Sequence, residues 1–372
     1  MDANEKRFNI MSPFKWLGIK ELLNKKISNF FLWDGHLARP INWAGKMPIP
    51  KNWIIYLLKY PNQLKLFSVK QKCDGFTLVE LLVGIVIATL VVTPLLGFMI
   101  NIMTTDRQEQ AKATTEQEIK AALDYIARDL QQAIYIYDAD GINAIRKQLP
   151  KYDDKNKNIF FPVLVFWKRQ FVSNGLIISS SKRRQVRDDS FVYSLVAYYL
   201  IKAHDSTWSN AARIGRFQIK NGYEETEAND EKFWRSKGFQ MFNMQASGNI
   251  KTKMNQWTKR SGESYTQDIV PLVDYIDQTL TNNNTNPAPP NCTIGQQVPT
   301  FSETGDSVAT GQVKTRGFYV CVDAQNVVAE VYLRGNALAR LQNNNIDFNG
   351  NNKTYFPQAS IRVQGNRFLF TN

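Results

Sequence analysis

Hydrophobic and polar positions divide this chain into three stretches with different periods. From Leu81 to Thr105 no residue is charged. A bilayer core needs about 20 apolar residues of helix, so this run is long enough to cross one. Beyond it, Ile119, Leu123, Ile126, Leu130, Ala133, Ile134 and Tyr137 recur at spacings of three and four, the period of an amphipathic helix. Together the two stretches predict one helix from about Phe76 to Ile136, ended by Asp138, Asp140 and Gly141. Pro94 and Gly97 fall inside the apolar half, where a kink or local melting is expected.

After residue 141 the period changes to that of strands. Ile159–Trp167 and Phe191–Ile201 are apolar runs rich in β-branched and aromatic residues. Phe318–Val322 and Val327–Leu333 flank the polar turn Asp323-Ala-Gln-Asn326 and predict a hairpin, with Val327, Ala329, Val331 and Leu333 on one face. Ile361–Gln364 and Arg367–Phe370 flank Gly365-Asn366 and predict a second. Residues 220–265 read as loop with some helix. Asn282–Asn291 (NNNTNPAPPN) reads as a polar, Pro-rich linker that does not pack. The fold class expected is α+β, a long N-terminal helix followed by a mainly antiparallel β head over 141–372.

Charge changes the picture at the N-terminus. The chain carries a net +13, a balance that would ordinarily point to nucleic acid. Residues 1–75 hold 13 Lys and Arg against 5 Asp and Glu, so most of the excess precedes the apolar run. Lys65, Lys70 and Lys72 stand where the positive-inside rule puts the cytoplasmic flank of a span. No nucleic-acid partner is expected. Phe14–Trp33 has the pattern of a basic amphipathic helix for a membrane surface. The reading preferred here is that the frame starts too early, with Met47 or Met11 as the true first residue.

At the head of the apolar run stands Gly75-Phe76-Thr77-Leu78-x-Glu80. A carboxylate at the edge of a membrane span is costly, on the order of 3 kcal/mol near the centre if unpaired, so Glu80 calls for a partner. This string resembles the cleavage signal of type IV prepilins and type II secretion pseudopilins. The resemblance implies a prepilin peptidase that cuts after Gly75 and methylates the new N-terminus at Phe76. It implies a mature chain of 297 residues, with residues 1–75 removed as a basic leader that is long for this family. Residues 76–105 would be the membrane half of a pilin helix and 106–140 its amphipathic half. Glu80 would pair with a neighbouring subunit's N-terminal ammonium.

Ile126–Ala133 (IARDLQQA) is similar to the same helix in the larger J-type and W-type minor subunits. Ala212–Gly222, Gly317–Gln325 and Val331–Arg340 are similar to segments of the C-type pseudopilin of the cyanobacterial hormogonium polysaccharide secretion system. The implied role is a minor pseudopilin for exopolysaccharide secretion and gliding. The partners are other major and minor pseudopilins, an inner-membrane assembly platform, the membrane and a secreted polysaccharide. The N-terminus would be cytoplasmic and the head extracytoplasmic, in a periplasmic or cell-surface filament. A minor type IV pilin for twitching or DNA uptake shares the same N-terminus and is the alternative.

Catalytic chemistry finds little footing. The histidines are His36, in the leader, and His204, and no Gly-x-Ser-x-Gly elbow is present, which argues against a signal-anchored hydrolase. Cys292, Cys321 and His204 lack zinc-ligand spacing, so no metal or other cofactor is expected. Asp138-x-Asp140-Gly141 lacks the glutamate of a calcium loop. Lys182, Arg183, Arg184 and Arg187 read as a solvated loop neutralised by Asp188 and Asp189. Cys73 leaves with the leader. Cys292 and Cys321 in an exported head are expected to form a disulfide.

Overall fold

The computed structural model describes residues 75–152, 159–181, 184–203, 206–223, 233–282, 284–302, 307 and 310–366. The sequence expectations for Phe14–Trp33, His36, Cys73, Lys182, Arg183, His204 and Arg367–Phe370 lie outside these residues.

Helix α1 runs Leu78–Leu130, 53 residues without interruption, or about 80 Å at 1.5 Å per residue. It passes through Pro94 and Gly97 unbroken, so the local melting expected there does not occur. Hydroxyls in the apolar half are satisfied within the helix. Thr89 Oγ1 donates to Val86 O at 2.9 Å and Thr93 Oγ1 to Thr89 O at 2.7 Å, as lipid requires. The burial of α1 begins at Ala111 and continues through Thr115, Ile119, Leu123, Ile126 and Leu130.

The helix ends at Leu130, short of the Ile136 that periodicity predicts. Ala133–Ile136 forms strand β1 instead, and all four of its residues are buried. The run Ile134-Tyr-Ile-Tyr137 suits a strand as well as a helix face, and pairing decides between them. Tyr135 and Ile136 pair with Trp167 and Phe166. Asp138 therefore does not terminate α1. It caps a second helix, α2 (Ala139–Ile145), accepting from Gly141 N at 2.8 Å.

Strands β2 (Phe160–Ser181) and β3 (Arg184–Ile201) form a hairpin much longer than their apolar runs. With β4 (Ala212–Lys220), helix α3 (Ile250–Asn255) after it, and β5 (Val270–Ile276), they complete a sheet ordered β1-β2-β3-β4-β5, antiparallel throughout. Arg184 and Arg187 lie in β3, not in a loop. Arg187 stacks its guanidinium 4.4 Å from the Phe233 ring centre. Asp189 accepts from Ser173 Oγ and Asn174 N on the facing strand. The segment read as loop with some helix covers this sheet: Phe239, Phe242 and Trp257 meet Trp167 edge-on at 5.8, 5.0 and 5.9 Å.

The second sheet begins with β6 (Gln296–Val298), after which come the short parallel pair β7 (Thr300–Phe301) and β8 (Gln312–Val313). Its order is β11-β10-β9-β6, with β9 Phe318–Asp323, β10 Val328–Arg334 and β11 Gln358–Gln364. The β9–β10 hairpin turns where the sequence predicts, with Asp323 accepting from Asn326 N and Nδ2. Ala329, Val331 and Leu333 share the buried face. Gly365 and Asn366 extend from β11 toward neighbouring strands: Gly365 N donates to Val327 O and Asn366 N to Ala133 O. A Cβ at Gly365 would stand 2.4 Å from that Ala133 oxygen, so only glycine admits the approach.

Helix α1 packs on β10 and β11 and reaches β5 and β2. Asp129, near its C-terminus, is the polar anchor. Lys168 Nζ donates to Oδ1 at 2.8 Å, and Tyr198 Oη and Arg216 Nε donate to Oδ2 at 2.7 and 2.8 Å. One carboxylate thus ties the helix to β2, β3 and β4. Burial pushes the Asp129 carboxyl up, yet Arg216 and then Lys168 outweigh it and hold it below the usual carboxylate range. Further along, Arg340 Nε donates to Thr115 Oγ1 at 2.8 Å and pairs with Glu118. Gly335 lets the end of β10 reach α1, since a Cβ there would lie 2.5 Å from Thr115 Cγ2.

A second buried ion pair overturns the reading of 282–291 as an unpacked linker. Arg334 pairs with Asp277, both almost fully buried, and its Nη2 donates to Asn286 Oδ1 at 2.9 Å. Asn286 is fully buried and donates from Nδ2 to the Thr279 and Leu280 carbonyls. Thr279 N and Oγ1 donate to Asp277 Oδ1 at 2.9 and 2.6 Å. Cys292 and Cys321 are joined by a disulfide, Cα–Cα 5.6 Å, that ties the end of this segment to β9.

Two predictions follow from this packing. Asp129→Asn leaves Lys168 and Arg216 without their counter-charge, and the thermal midpoint of the detergent-solubilised chain should fall by the equivalent of about 3 kcal/mol. Because the folded Asp129 titrates below its ordinary value of 3.8, its contribution is present at neutral pH. That contribution is lost as pH falls below the ordinary value through the folded one, so wild type and variant should converge in acid. Reduction of the disulfide, which closes a loop with a separation of 29 residues, should cost about 3–4 kcal/mol by chain entropy. Denaturant midpoints with and without reductant measure it.

Candidate functional site

The start of α1 is built by its own sequence. Thr77 is the N-cap with extended backbone, and Glu80 is the third helical residue. Glu80 N donates to Thr77 Oγ1 at 3.2 Å, and Thr77 N donates to Glu80 Oε2 at 3.0 Å. This is a capping box, which satisfies two backbone donors that a helix start otherwise leaves open. Thr77 Oγ1 also donates to Glu80 Oε2 at 3.0 Å. The Thr and Glu of the motif therefore have a local structural role in the uncut chain, one the sequence reading passed over. The signal was visible as Thr-x-x-Glu before an apolar run.

Gly75 and Phe76 precede the cap. Phe76 is 86 % exposed. Among the described residues nothing lies within 4 Å of the position a Cβ on Gly75 would take. Among the described residues, then, no packing contact requires glycine at 75.

From Leu78 to Met103 the large apolar side chains of α1 are exposed. The helix is long and apolar enough to cross a membrane, and none of its most apolar window is buried. Exposure of so continuous an apolar surface marks a membrane or interaction site. The exposed apolar half and the half that packs on the β sheets are thus parts of one helix, and the apolar run ends at Asp106.

The remaining sequence-predicted residues fall elsewhere. Cys292 and Cys321 sit in the β head, engaged with each other. Among the described residues no cluster of three or more His, Cys, Asp or Glu could hold a metal. Asp138 and Asp140 meet Lys251 at 2.6 and 3.2 Å, an ion pair with a cap role. Lys202 is the one described lysine pushed down to about 8, by burial working against the attraction of Asp277. It lies 5.3 Å over the Phe161 ring.

Comparison with curated proteins and with solved structures finds no match. Residues 70–96 match the prokaryotic N-terminal methylation motif. That match covers Gly75, Phe76 and Glu80 and the first part of the apolar helix. A motif of this kind implies processing by a prepilin peptidase and assembly with other pilins, and with one exposed apolar helix continuous with a β head it supports a type IV pilin- or pseudopilin-like subunit.

Proposed function

We propose that this chain is a minor pseudopilin, a non-enzymatic subunit of a type IV pilus-like or type II secretion-like filament, serving exopolysaccharide secretion and gliding. The observation that carries the reading is the methylation motif at the exact head of an exposed apolar helix that continues into a folded β head. Cleavage falls between Gly75 and Phe76, outside the capped helix, where the peptide is accessible. The new α-ammonium at Phe76 then lies close in sequence to Glu80. In a filament core of low dielectric, an ammonium and a carboxylate are tolerable only as a pair, and a neighbouring subunit's terminus supplies the partner. The J-type and W-type likeness of Ile126–Ala133 supports a minor subunit, and the large head suits a place where lateral packing does not crowd it. The polysaccharide role is supported by the likeness of Ala212–Gly222, Gly317–Gln325 and Val331–Arg340 to the hormogonium C-type pseudopilin.

Processing is tested by Gly75→Val. Among the described residues the Cβ position is open, so the substitution is expected to leave the β head unchanged and a change in cleavage to report recognition. The variant should accumulate as uncut precursor on a blot of membrane fractions. Cleavage at the wild-type rate would contradict the assignment of Gly75.

Assembly is tested by Glu80→Ala. The substitution makes the span more apolar, so membrane level should hold or rise, while co-purification with other pseudopilins and extracellular polysaccharide should fall. Normal co-purification with normal secretion would remove the charge-pairing role.

A further inference from the structure

The edge of a sheet leaves one row of backbone N–H and C=O groups open, and a second chain can pair with it. Among the described residues the two larger sheets end on β1, β5, β6 and β11. Three of these edges are blunted. Strand β1 has four residues, and its Ala133 carbonyl is taken by Asn366 N. Strand β5 carries Pro271, pairs with β4 through register shifts, and is tied near its end where Asn336 N donates to Tyr275 O. Strand β6 has three residues and stops at Pro299.

Strand β11 is not blunted. Its seven residues pair with β10 without a register shift, and they include neither Pro nor Lys. Their one charge, Arg362, is turned onto Glu330 of β10 at 2.9 Å. Both ends of the ladder fix the backbone orientation: Gly335 N donates to Pro357 O, and Gly365 N to Val327 O. Antiparallel pairing alternates, so Ala359, Ile361 and Val363 bond to β10. Gln358, Ser360, Arg362 and Gln364 therefore aim their N–H and C=O groups away from it. These four residues are exposed, and among the described residues no strand pairs with that edge.

A second copy of this chain does not fit there. A Cβ on Gly335 would touch both Thr115 and Pro357, while Asn366 N reaches Ala133 O just beyond the end of α1. Helix α1 and β11 thus run in the same sense. Antiparallel pairing of two β11 strands would set their α1 helices antiparallel, with the exposed apolar halves at opposite ends, which one membrane cannot hold. A two-fold axis along the strand sets like residues level, whereas the slanted bonds of a parallel ladder need an offset.

We propose that the outer edge of β11 takes up an extended segment of a different filament subunit as a further strand of the second sheet. Main-chain bonds supply the affinity and alternate side chains the choice of partner. Ala359, Ile361 and Val363 pack toward the core, so the guest strand carries apolar residues at every second position on that face. Its other face borders Arg362 and its polar neighbours, which suits polar or acidic side chains.

The choice of a filament subunit rests on the proposed function, and one experiment reads the two separately. Photoreactive benzoylphenylalanine is placed at Gln358 or at Gln364 of the full-length chain, native membranes are irradiated, and the adducts are sequenced by mass spectrometry. Both sites should couple to one segment of a second protein that has its own methylation motif. The two points of attachment should lie about six residues apart, because paired strands advance together. Ser360→Pro removes an outward donor and no bond to β10. It should cut the adduct yield about tenfold, the order of one lost hydrogen bond, while the thermal midpoint holds. Arg362→Pro acts in the same way and serves if the first variant folds poorly. Adducts within this chain or to a second copy, adducts scattered over several proteins, a yield unchanged by both variants, or no adduct overturns the proposal. A chain that begins at Phe76 yet gives no adduct counts against the edge alone. An uncut chain coupled to a protein without the motif counts against the filament reading and overturns the partner named here.

Discussion

The structure depends on one buried carboxylate. Asp129 stands near the end of a helix whose first half is exposed among the described residues, and it receives Lys168, Arg216 and Tyr198 from three successive strands. Apolar packing alone could let the helix slide along the sheets, because burial is non-directional. A carboxylate with three fixed donors in low dielectric has one satisfactory position, and an error of a turn leaves two cations buried without a counter-ion. Asp129 therefore sets where the exposed half of α1 emerges from the head, and with it the distance from Glu80 to the β sheets.

The rest of the head is arranged around that anchor. Arg340 grips Thr115 and Glu118 further toward the membrane half, so the helix is held at two levels. Arg334, Asp277 and Asn286 form a separate buried network in the second sheet. The disulfide at Cys292 ties the same segment to β9. In the proposed filament subunit rigid attachment would matter, because the helix would pack among neighbours while the head faced outward. Little motion between them can be tolerated if each head is to keep a defined place.

Much of this was legible from residue pattern. The apolar run, the start of α1, the β9–β10 hairpin and the face shared by Ala329, Val331 and Leu333 follow from period and turn chemistry alone. The end of α1 was not legible, because Ile134 to Tyr137 satisfies both helical spacing and strand propensity, and only the pairing with β2 decides. Asn282–Asn291 looked unpackable by composition, yet Asn286 is held by Arg334, 48 residues away, a contact no local rule contains. The length of the β2–β3 hairpin was hidden for a related reason: its outer half mixes short apolar runs with polar residues and is joined by backbone pairing out to Ser181 and Arg184. At the motif itself, the sequence showed Glu80 as a residue in need of a charged partner but not its capping bond to Thr77.

The central claim is that Phe76 is the first residue of the functional protein. Mass spectrometry of the N-terminal peptide, from protein extracted from native membranes, tests it directly. The account predicts a terminal peptide that begins with N-methylated Phe76 and contains Glu80. A terminal peptide that spans an intact Gly75–Phe76 bond, with no species beginning at Phe76, would contradict it.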